Sequence, residues 1–387
     1  MAEWKECLLS DLGTVVGGAT PSTKNPANYE GGTISWITPK DLADFKGRYI
    51  ARGERMITDA GLSSCSTQLM PEHSVLFSSR APIGYVAIAA NELCTNQGFK
   101  SVVPNERTDY LFLYYLLRYY KDAIENLGSG TTFKEVSGST MRNVKVKVPV
   151  LFSEQKKIAS VLGAIDDKIE ENERINNNLL AQAQMLYKQC FPYGVQDDLP
   201  DGWHIGTVGE IIEIHDSKRI PLSGADRAKM EKKIYPYYGA ASLMDFVDNY
   251  IFDGKYLLLG EDGTVVDDAG YPILQYVWGQ FWVNNHAHIL TGRHGYDVES
   301  LYMLFKQTPV KSIVTGAVQP KISQANLHSV QVVIPPEHNL REYNDLVEPL
   351  FSLLRANEEE CKTLSALRDT LLPKLMSGEL DVSAIQL

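Results

Sequence analysis

Two long stretches of the chain repeat apolar residues in alternating steps of four and three. The first extends from Ser153 to Cys190, contains no proline, and keeps this spacing for more than four heptads. Such a sustained heptad repeat is typical of a coiled coil rather than of an ordinary surface helix. A second stretch, from Tyr343 to Leu375, keeps the same phase 185 residues further on. The pattern therefore predicts two long helices that pair along these apolar positions.

The second stretch is less regular than the first. Arg368 occupies one of its apolar positions, and Pro349 and Pro373 lie within it. Because proline lacks a backbone N–H and clashes with the preceding turn, we expect Pro349 to kink the helix or to mark a late start. For the same reason Pro373 should end the helix.

Each stretch carries an asparagine at the same position of the repeat, Asn172 in the first and Asn357 in the second. If the helices pair antiparallel, as two copies related by a pseudo-twofold axis would, these asparagines should approach each other. A buried asparagine costs stability but fixes the register of a coiled coil. The alternative is that both are solvated on imperfect seams. We assign four residues to helix pairing: Asn172, Asn357, Leu179 and Leu364.

The segment before each long helix is also repeated. Gly130–Pro149 aligns with Gly316–Pro335 without a gap, and the preceding blocks open alike at Trp4 and Trp203, although the bodies of the blocks do not repeat in sequence. The chain is thus an internal repeat of a globular block followed by a long helix. We predict a first block at 1–150, a first helix at 151–192, a second block at 193–336 and a second helix at 337–387.

Both blocks mix short runs of strand-forming residues with turn residues. Two apolar segments, Leu111–Tyr120 and Leu301–Lys306, predict short buried helices whose aromatic residues belong to the core. The predicted fold class is therefore α+β (mixed α/β), with two globular domains joined by an antiparallel coiled coil. The strand-like runs begin at Ile34, Val75, Tyr85, Tyr256 and Gln275.

Composition narrows the functional classes. The chain has no apolar run long enough to span a membrane and no signal-like start, so we expect a cytoplasmic protein without a membrane partner. Its five cysteines are scattered without a CxxC pair, which argues against structural zinc and disulfides. The net charge of −11 argues against nucleic acid, but residues 1–150 are nearly neutral and leave room for a local basic surface.

Signatures of common enzymes are missing. The sequence contains no phosphate-binding loop, no dinucleotide fingerprint, no zinc-protease motif, no nucleophile elbow and no DNA methyltransferase motif. Asp201, Asp253 and Lys255 have a nuclease-like spacing, but Asp253 followed by glycine is more typical of a hairpin turn. His286 and His288 would share one face of a strand, but no third ligand is evident, so we predict no metal site.

Polar residues in loops rich in glycine or proline are the candidates for ligand binding, because such loops usually display binding residues. The repeated segments add small-residue loops with a cation, which could approach a sugar-phosphate backbone closely. Each candidate could instead stabilise an ordinary turn or an internal hydrogen-bond network. The candidates are Thr20, Ser22, Lys24, Lys40, Arg80, Asn96, Gln97, Lys100, Thr132 and Lys134 in the first block, and Asn284, Asn285, His286, His288, Gln319 and Lys321 in the second.

An ordered set of short motifs, covering nearly the whole chain, resembles the DNA-specificity (S) subunits of type I restriction-modification enzymes. Motifs of the first block resemble one group of target recognition domains: GGATPSTKNPANYEGGTISWITPKDL, VLFSSRAPIGYVAIA and TNQGFKS. Motifs of the second block resemble another group: YPYYGA, YLLLGEDG, ILQYVWGQFWVNNHAHIL and GAVQPKIS. The helices, which end in YKQCF and LLPKLMSGEL, resemble the conserved spacer regions.

The resemblance implies a subunit without catalytic activity. Each block would be a target recognition domain that contacts half of a bipartite double-stranded DNA target, with Tyr238 of YPYYGA among the contacts. The spacer helices would recruit two methyltransferase (M) subunits, and restriction (R) subunits would complete the enzyme. No cofactor is expected on this chain, because S-adenosylmethionine, and the ATP and Mg²⁺ needed for cleavage, would bind to the partner subunits.

Two other functions are compatible with the residues. The acidic charge and the aromatic content suit a protein- or glycan-binding scaffold whose coiled coil serves as a stalk. A divergent metal-dependent nuclease would use Asp201, Asp253 and Lys255. A series of salt concentrations separates DNA binding from a mostly apolar interface, because only the former should weaken steeply with salt.

Overall fold

The computed structural model describes residues 3–43, 45–130, 134–316 and 318–382. Its contacts divide the chain into two compact units. The first unit comprises Met1–Asn172 and Glu359–Leu387, and the second comprises Glu173–Glu358. The boundary falls inside both long helices, so each unit contains one block together with a segment of each helix.

The first block combines a five-stranded sheet of order β2-β9-β6-β7-β4 with a three-stranded sheet and a two-stranded ribbon. The ribbon pairs the first and last strands of the block antiparallel, β1 with β10. The strands are β1 Trp4–Leu8, β2 Gly13–Gly17, β3 Ile34–Ile37, β4 Tyr49–Ile50, β5 Met56–Ile57, β6 Val75–Ser79, β7 Ile83–Ala89, β8 Cys94–Thr95, β9 Lys100–Pro104 and β10 Lys145–Pro149.

The last three of the four helices described in the first block pack against the five-stranded sheet, and the first packs against β5. The predicted apolar segment forms α2, whose Asp109 caps the helix by accepting a hydrogen bond from the backbone N–H of Phe112. Six successive residues of α2 are buried, so Phe112, Tyr114 and Tyr115 belong to the core as predicted, whereas Tyr119 at the end of the helix is 36% exposed. The helices are α1 Asp59–Ser63, α2 Tyr110–Tyr119, α3 Lys121–Asn126 and α4 Gly138–Arg142.

The second block has two four-stranded sheets and a two-stranded ribbon. The run from Gln275, which looks continuous in sequence, is divided between two sheets by a turn at Gly279, whose positive φ of 76° favours glycine. The elements are β11 His204–Thr207, α6 Val208–Ile211, β12 Ile212–Ile214, α7 Gly224–Ala228, β13 Tyr235–Tyr238, β14 Leu243–Val247, β15 Phe252–Asp253, β16 Tyr256–Gly260, β17 Leu274–Val277, β18 Gln280–Val283, β19 Ala287–Gly292, α8 Val298–Phe305, α9 Gln324–His328 and β20 Gln331–Ile334.

The two blocks share a fold although their bodies have unrelated sequences. The strand order β2-β9-β6-β7 of the first block recurs as β12-β19-β16-β17 in the second. The parallel pair β3-β8 recurs as β13-β18, and the ribbon β1-β10 recurs as β11-β20. The internal repeat therefore extends through the whole block, and strand order reveals what residue identity does not.

The long helices are α5, Phe152–Cys190, and α10, Glu337–Ser377. The second begins before Pro349 and continues past Pro373, so the expected late start and early end are both wrong. Both prolines are exposed, while the neighbouring Phe351 and Leu375 are buried in the cores, and this packing outweighs the lost backbone hydrogen bonds. Gly378, with a φ of 80°, ends the helix instead. Across the described ranges, neither these helices nor the shorter ones combine the length and apolarity that a bilayer crossing requires.

Within each unit the two helix segments run antiparallel. In the first unit, Asp166 contacts Arg368 and Asn172 contacts Glu360, so the contacts descend along α10 as they ascend along α5. Arg368 thus forms a 2.8 Å hydrogen bond to Asp166, which is buried, and it is not an isolated defect in the seam. Leu364 is half-buried at this seam.

In the second unit, Nδ2 of Asn357 donates to Oδ1 of Asn176 (2.8 Å), and Nδ2 of Asn176 donates to the carbonyl oxygen of Leu354 (3.2 Å). Leu179 is buried one turn further along α5. The two aligned asparagines, Asn172 and Asn357, are both buried, so the alternative of solvated side chains is wrong. Each of them has a hydrogen-bond partner inside its own unit.

We expect Asn357→Leu to lower the free energy of unfolding of the second unit by about 1–3 kcal/mol, because the buried oxygen of Asn176 would lose its donor. The double substitution Asn176→Leu with Asn357→Leu should recover this loss. Denaturation followed by amide exchange in α5 would measure both. Asn177→Leu, on the exposed side of the same helix, is the matched control. A single variant as stable as this control would contradict the prediction.

Candidate functional site

In the first unit, the loop after β2 approaches the turn after β8. A Cβ atom on Gly18 would lie 2.1 Å from the carbonyl oxygen of Asn96, so only glycine permits this approach. The side-chain oxygen of Asn96 accepts a hydrogen bond from the backbone N–H of Gly98 (2.8 Å), which fixes the turn. As a result, the exposed hydroxyl of Thr20 donates to the side-chain oxygen of Gln97.

The repeated segment brings further charged residues to the same turn. The backbone N–H of Val136 donates to the carbonyl oxygen of Ser79 (3.0 Å), and this bond places the preceding carboxylate, Glu135, beside two cations. Glu135 lies 3.5 Å from Arg80 and 3.5 Å from Lys100. The side chains of Arg80 and Glu135 are 35% and 41% exposed, respectively. The cluster has one excess positive charge, and its arginine and carboxylate are accessible, whereas the Lys100 side chain is only 16% exposed.

The other predicted contacts of the first block are less constrained. Lys40 forms an ion pair with Glu54 in which both side chains are largely exposed, and such a pair contributes little to stability. Thr132 lies outside the described residues. Three more candidates are exposed: Ser22, Lys24 and Lys134.

The second unit repeats the turn that Asn96 forms in the first. The side-chain oxygen of Asn284 accepts from the backbone N–H of His286 (2.8 Å). The backbone N–H of Asn284 donates to the backbone carbonyl oxygen of Tyr238 (3.0 Å). Asn284 is only 4% exposed. Its expected DNA contact is therefore corrected, because its side chain is turned inward to hold the backbone.

The expected DNA contact of His288 is also wrong. Its ring is fully buried, and it does not share a strand face with His286, because β19 begins between them at Ala287. Nδ1 lies 2.6 Å from Asp216, and Nε2 lies 2.8 Å from the carbonyl oxygen of Ile322. Each ring nitrogen thus faces an oxygen atom inside the protein. His288 therefore supports the site from inside and is not accessible to a ligand.

A network of charges surrounds this histidine. Arg219 lies 2.6 Å from Glu261 and 3.3 Å from Asp216, and Lys321 lies 3.1 Å from Glu261. Burial raises the pKa of Glu261, but the hydrogen bonds from Arg219 and Lys321 outweigh burial and hold that pKa below its usual value of 4.5. Burial likewise raises the pKa of Asp216, and its bonds with His288 and other donors lower it below 3.8.

Asp216, Glu261 and His288 place one possible ligand atom each within 4.8 Å of one another. A metal would have to displace Arg219 and Lys321 from the carboxylates and break the hydrogen bonds of the histidine ring. The donor set therefore fits a closed ion-pair network better than a cation site.

The outer side of this network carries the accessible residues of the second unit. His286 is half-exposed and its Nδ1 contacts Asp262. Lys321 is 48% exposed, and Tyr238 is half-buried. The remaining two candidates are exposed: Asn285 and Gln319.

Corresponding positions in the two units carry different charges. The backbone N–H of Ile322 donates to the backbone carbonyl oxygen of Glu261, just as the backbone N–H of Val136 donates to that of Ser79. The two repeated segments therefore make the same backbone contact at aligned positions. At the preceding position the first unit has Glu135 and the second has Lys321. The two units thus present dissimilar side chains on one backbone arrangement.

Two of the three nuclease-like residues, Asp253 and Lys255, have structural partners. Lys255 lies 2.6 Å from Glu299, which is fully buried, and Asp253 accepts a hydrogen bond from Gln280 (3.0 Å). Asp253 and the following glycine do not form a hairpin turn, because β15 and β16 belong to different sheets. Neither observation supports metal-dependent hydrolysis.

Sequence reasoning did not identify the acidic residues that hold the site. Glu135 and Lys321 occupy one aligned position of the repeat with opposite charges, and this reversal was visible in the alignment. The acids of the internal network left no comparable signal, because they precede or follow strands whose pairing the sequence does not reveal. The missed residues are Glu135, Asp216, Glu261 and Asp262, together with Arg219.

We expect the stability of the second unit to depend on the ionised carboxylates of Asp216 and Glu261. Because their pKa values are lowered by folding, their stabilisation is present above the usual values of 3.8 and 4.5 and is lost as the pH falls below them. Amide exchange of β19 between about pH 6 and about pH 3 measures this loss. Asp216→Asn should destabilise β19 at the higher pH and flatten the profile.

Asp268→Asn, an exposed carboxylate of the same block, is the control and should keep the full pH dependence. An unchanged profile in Asp216→Asn would show that this network does not stabilise the unit.

Comparisons with known proteins agree with the repeated architecture. The family described as the type I restriction modification DNA specificity domain matches twice, at residues 1–181 and 200–366. The specificity subunit of the type I restriction enzyme MjaIX from Methanocaldococcus jannaschii is 32% identical over 99% of this chain and 95% of its own length. The EcoprrI specificity subunit from Escherichia coli is 24% identical over 84% of this chain and 82% of its own length.

A solved structure supports the same fold. The crystal structure of a type I restriction-modification S subunit from M. genitalium covers 97% of this chain and 96% of its own, with a TM-score of 0.59 at 18% identity. The resemblance and fold class expected from the sequence are confirmed by these matches. The chain belongs to the type I restriction-modification DNA-specificity family, whose specificity subunits are non-catalytic.

Proposed function

We propose that this chain recognises a bipartite double-stranded DNA target, with one half-site read by each unit. The observation that carries the proposal is that both units use one backbone arrangement to present different side chains. Two dissimilar readers suit an asymmetric target, and DNA half-sites that face the same way are separated by about one helical turn, ~34 Å. The similar proteins are named specificity subunits of type I restriction enzymes, and the matching family is described as a DNA specificity domain.

The accessible residues of each unit have the chemistry that DNA contacts require. In the first unit, Arg80 and Lys100 can contact base edges or phosphates once they exchange Glu135 for DNA, and Gln97 can pair with an adenine edge. In the second unit, Asn285 and Lys321 offer the same classes of donor. The buried Asn284 and His288 hold the backbone behind these residues, so they act indirectly.

The long helices are the proposed docking site for methyltransferase subunits. The chain lacks methyltransferase and nuclease motifs, so adenine methylation and DNA cleavage would be performed by M and R subunits that bind their own cofactors. Purified chain mixed with its M subunit should protect adenines in a specific sequence. Absence of a complex together with absence of sequence-dependent binding would refute the proposal.

Methylation profiling of DNA from cells that carry this gene with its neighbours would identify both half-sites and their separation. A salt series then addresses the scaffold alternative. Binding to the target should weaken steeply with added salt, because cationic side chains displace counterions from phosphates. Salt-independent binding would favour the protein- or glycan-binding scaffold.

We expect Arg80→Ala to weaken binding to the target by roughly 5- to 150-fold and to relax base preference in one half-site only. The physical reason is that this guanidinium is accessible and is held by a single shared carboxylate. Binding to duplexes with single base changes measures both effects.

Lys145→Ala is the matched control, because this exposed lysine lies on β10 and pairs only with the exposed Glu6 at 3.2 Å among the described contacts. If Arg80→Ala behaves like Lys145→Ala, the turn region of the first unit is not its DNA surface.

A further inference from the structure

A buried arginine fastens the first block to the first long helix. Arg48 lies just before β4, and its side chain is only 5% exposed. Its Nε donates to one carboxylate oxygen of Glu170 (2.9 Å) and its Nη2 donates to the other (3.0 Å). This bidentate, two-bond geometry is the one in which arginine binds carboxylates best. Nη2 also contacts Asp167, on the preceding turn of α5. We call this set of contacts the first clamp.

The second block is fastened to α10 by a second clamp. Here the arginine belongs to the helix: Nη1 of Arg355 donates to Oε1 of Glu299 (3.1 Å) and to the hydroxyl of Tyr276 (2.6 Å). Lys255 of the block lies 2.6 Å from the same oxygen of Glu299. Glu299 is fully buried, and these three groups are its partners in the clamp.

The two clamps occupy corresponding places in the repeat with opposite polarity. The heptad alignment that places Ile158 on Tyr343 places Glu170 on Arg355. The helix therefore supplies the acid in the first unit and the base in the second. On the block side both clamps lie at the same sheet edge, because the carbonyl oxygen of Arg48 accepts from β7 (2.8 Å) and Tyr276 belongs to the corresponding strand β17.

A second aligned position follows the same rule. Gly163 of α5 has no side chain, and its carbonyl oxygen lies 3.5 Å from Nη1 of Arg48. The aligned residue of α10 is Glu348, which accepts from Nη2 of Arg355 (2.7 Å) and lies 3.4 Å from Lys255. Each helix thus carries the side chains that its own clamp requires and lacks those of the other.

We propose that the opposite polarities of the two clamps determine which helix each block docks on, and we call this selection keying. The blocks share a fold and the helices share a phase, so docking of a block on the wrong helix is the error that this repeat must avoid. In such an arrangement Arg48 would meet Arg355, and Glu299 would meet Glu170. Two like charges brought together away from water repel strongly, and the remaining counter-charges, Lys255 beside Glu299 and Glu348 on α10, would offset only part of this repulsion. Opposite polarity therefore disfavours the exchange.

The clamps also make Arg48 and Arg355 positioning residues. Each sets the angle at which a block meets its helix and hence the direction in which its turn region faces. This second consequence rests on the proposed function, whereas the keying itself does not.

The keying is tested by reversing charges in the full chain. Arg48→Glu and Glu170→Arg each place like charges in the first clamp and should lower the unfolding midpoint of the first unit by roughly 10 °C. The double variant restores opposite charges and should recover about half of this loss or more. Recovery is incomplete because Asp167 remains beside the new acid. Lys145→Glu, which reverses one charge of an exposed pair, is the control and should shift the midpoint by less than about 2 °C.

Single variants that match Lys145→Glu, or a double variant no more stable than the singles, would show that polarity does not decide the docking. Either result overturns the keying. General loss of packing cannot explain a recovery in the double variant. The double variant changes more atoms than either single one, so packing damage would make it less stable than both.

The positioning role is tested with duplexes that carry both half-sites at a series of separations. Arg48→Lys keeps the charge but loses the two-bond geometry. It should bind the preferred separation roughly tenfold more weakly while discriminating less against its neighbours. Unchanged discrimination would overturn the positioning role. If the unsubstituted chain binds none of the duplexes, the proposed function fails, and the charge reversals still decide the keying.

Discussion

The structure depends on a set of backbone hydrogen bonds that both units make where the repeated segment crosses the end of a central strand. Val136 donates to Ser79 in the first unit, and Ile322 donates to Glu261 in the second. Because buried backbone groups must be paired, the paths of these loops cannot drift even when their sequences diverge. Side chains at the crossing are under no such constraint, so the two units can present different side chains on the same backbone arrangement.

The two units use that freedom in different ways. The first unit leaves Arg80 and Lys100 near the surface around one shared carboxylate. The second encloses His288 among Asp216, Glu261 and other bonded groups, so much of its charge is internal. An enclosed network gives rigidity only if every member is satisfied, and each nitrogen of this histidine faces an oxygen atom. The second unit therefore has fewer accessible cations at the turn and more residues that act through the backbone.

The sequence predicted the long helices well because a heptad pattern records burial directly. It could not predict that α10 continues through Pro349, since that outcome depends on tertiary packing of residues such as Phe351. The shared fold of the blocks was hidden because many different apolar residues satisfy the same strand positions. The candidate site was half visible: loop position identified Asn284 and Lys321 equally, but only the structure shows that the first faces inward and the second outward.

The acidic balance of the chain is a poor guide to what it binds. The net charge of −11 counts every carboxylate equally. Glu170 and Glu299 are committed to arginines at the junctions of block and helix, and Asp216 is committed to a buried histidine. A carboxylate whose field is cancelled by a neighbour a few ångströms away contributes little at a distant surface. On the proposed DNA surface, a phosphate would meet the residual charge of the turn region, which in the first unit is positive.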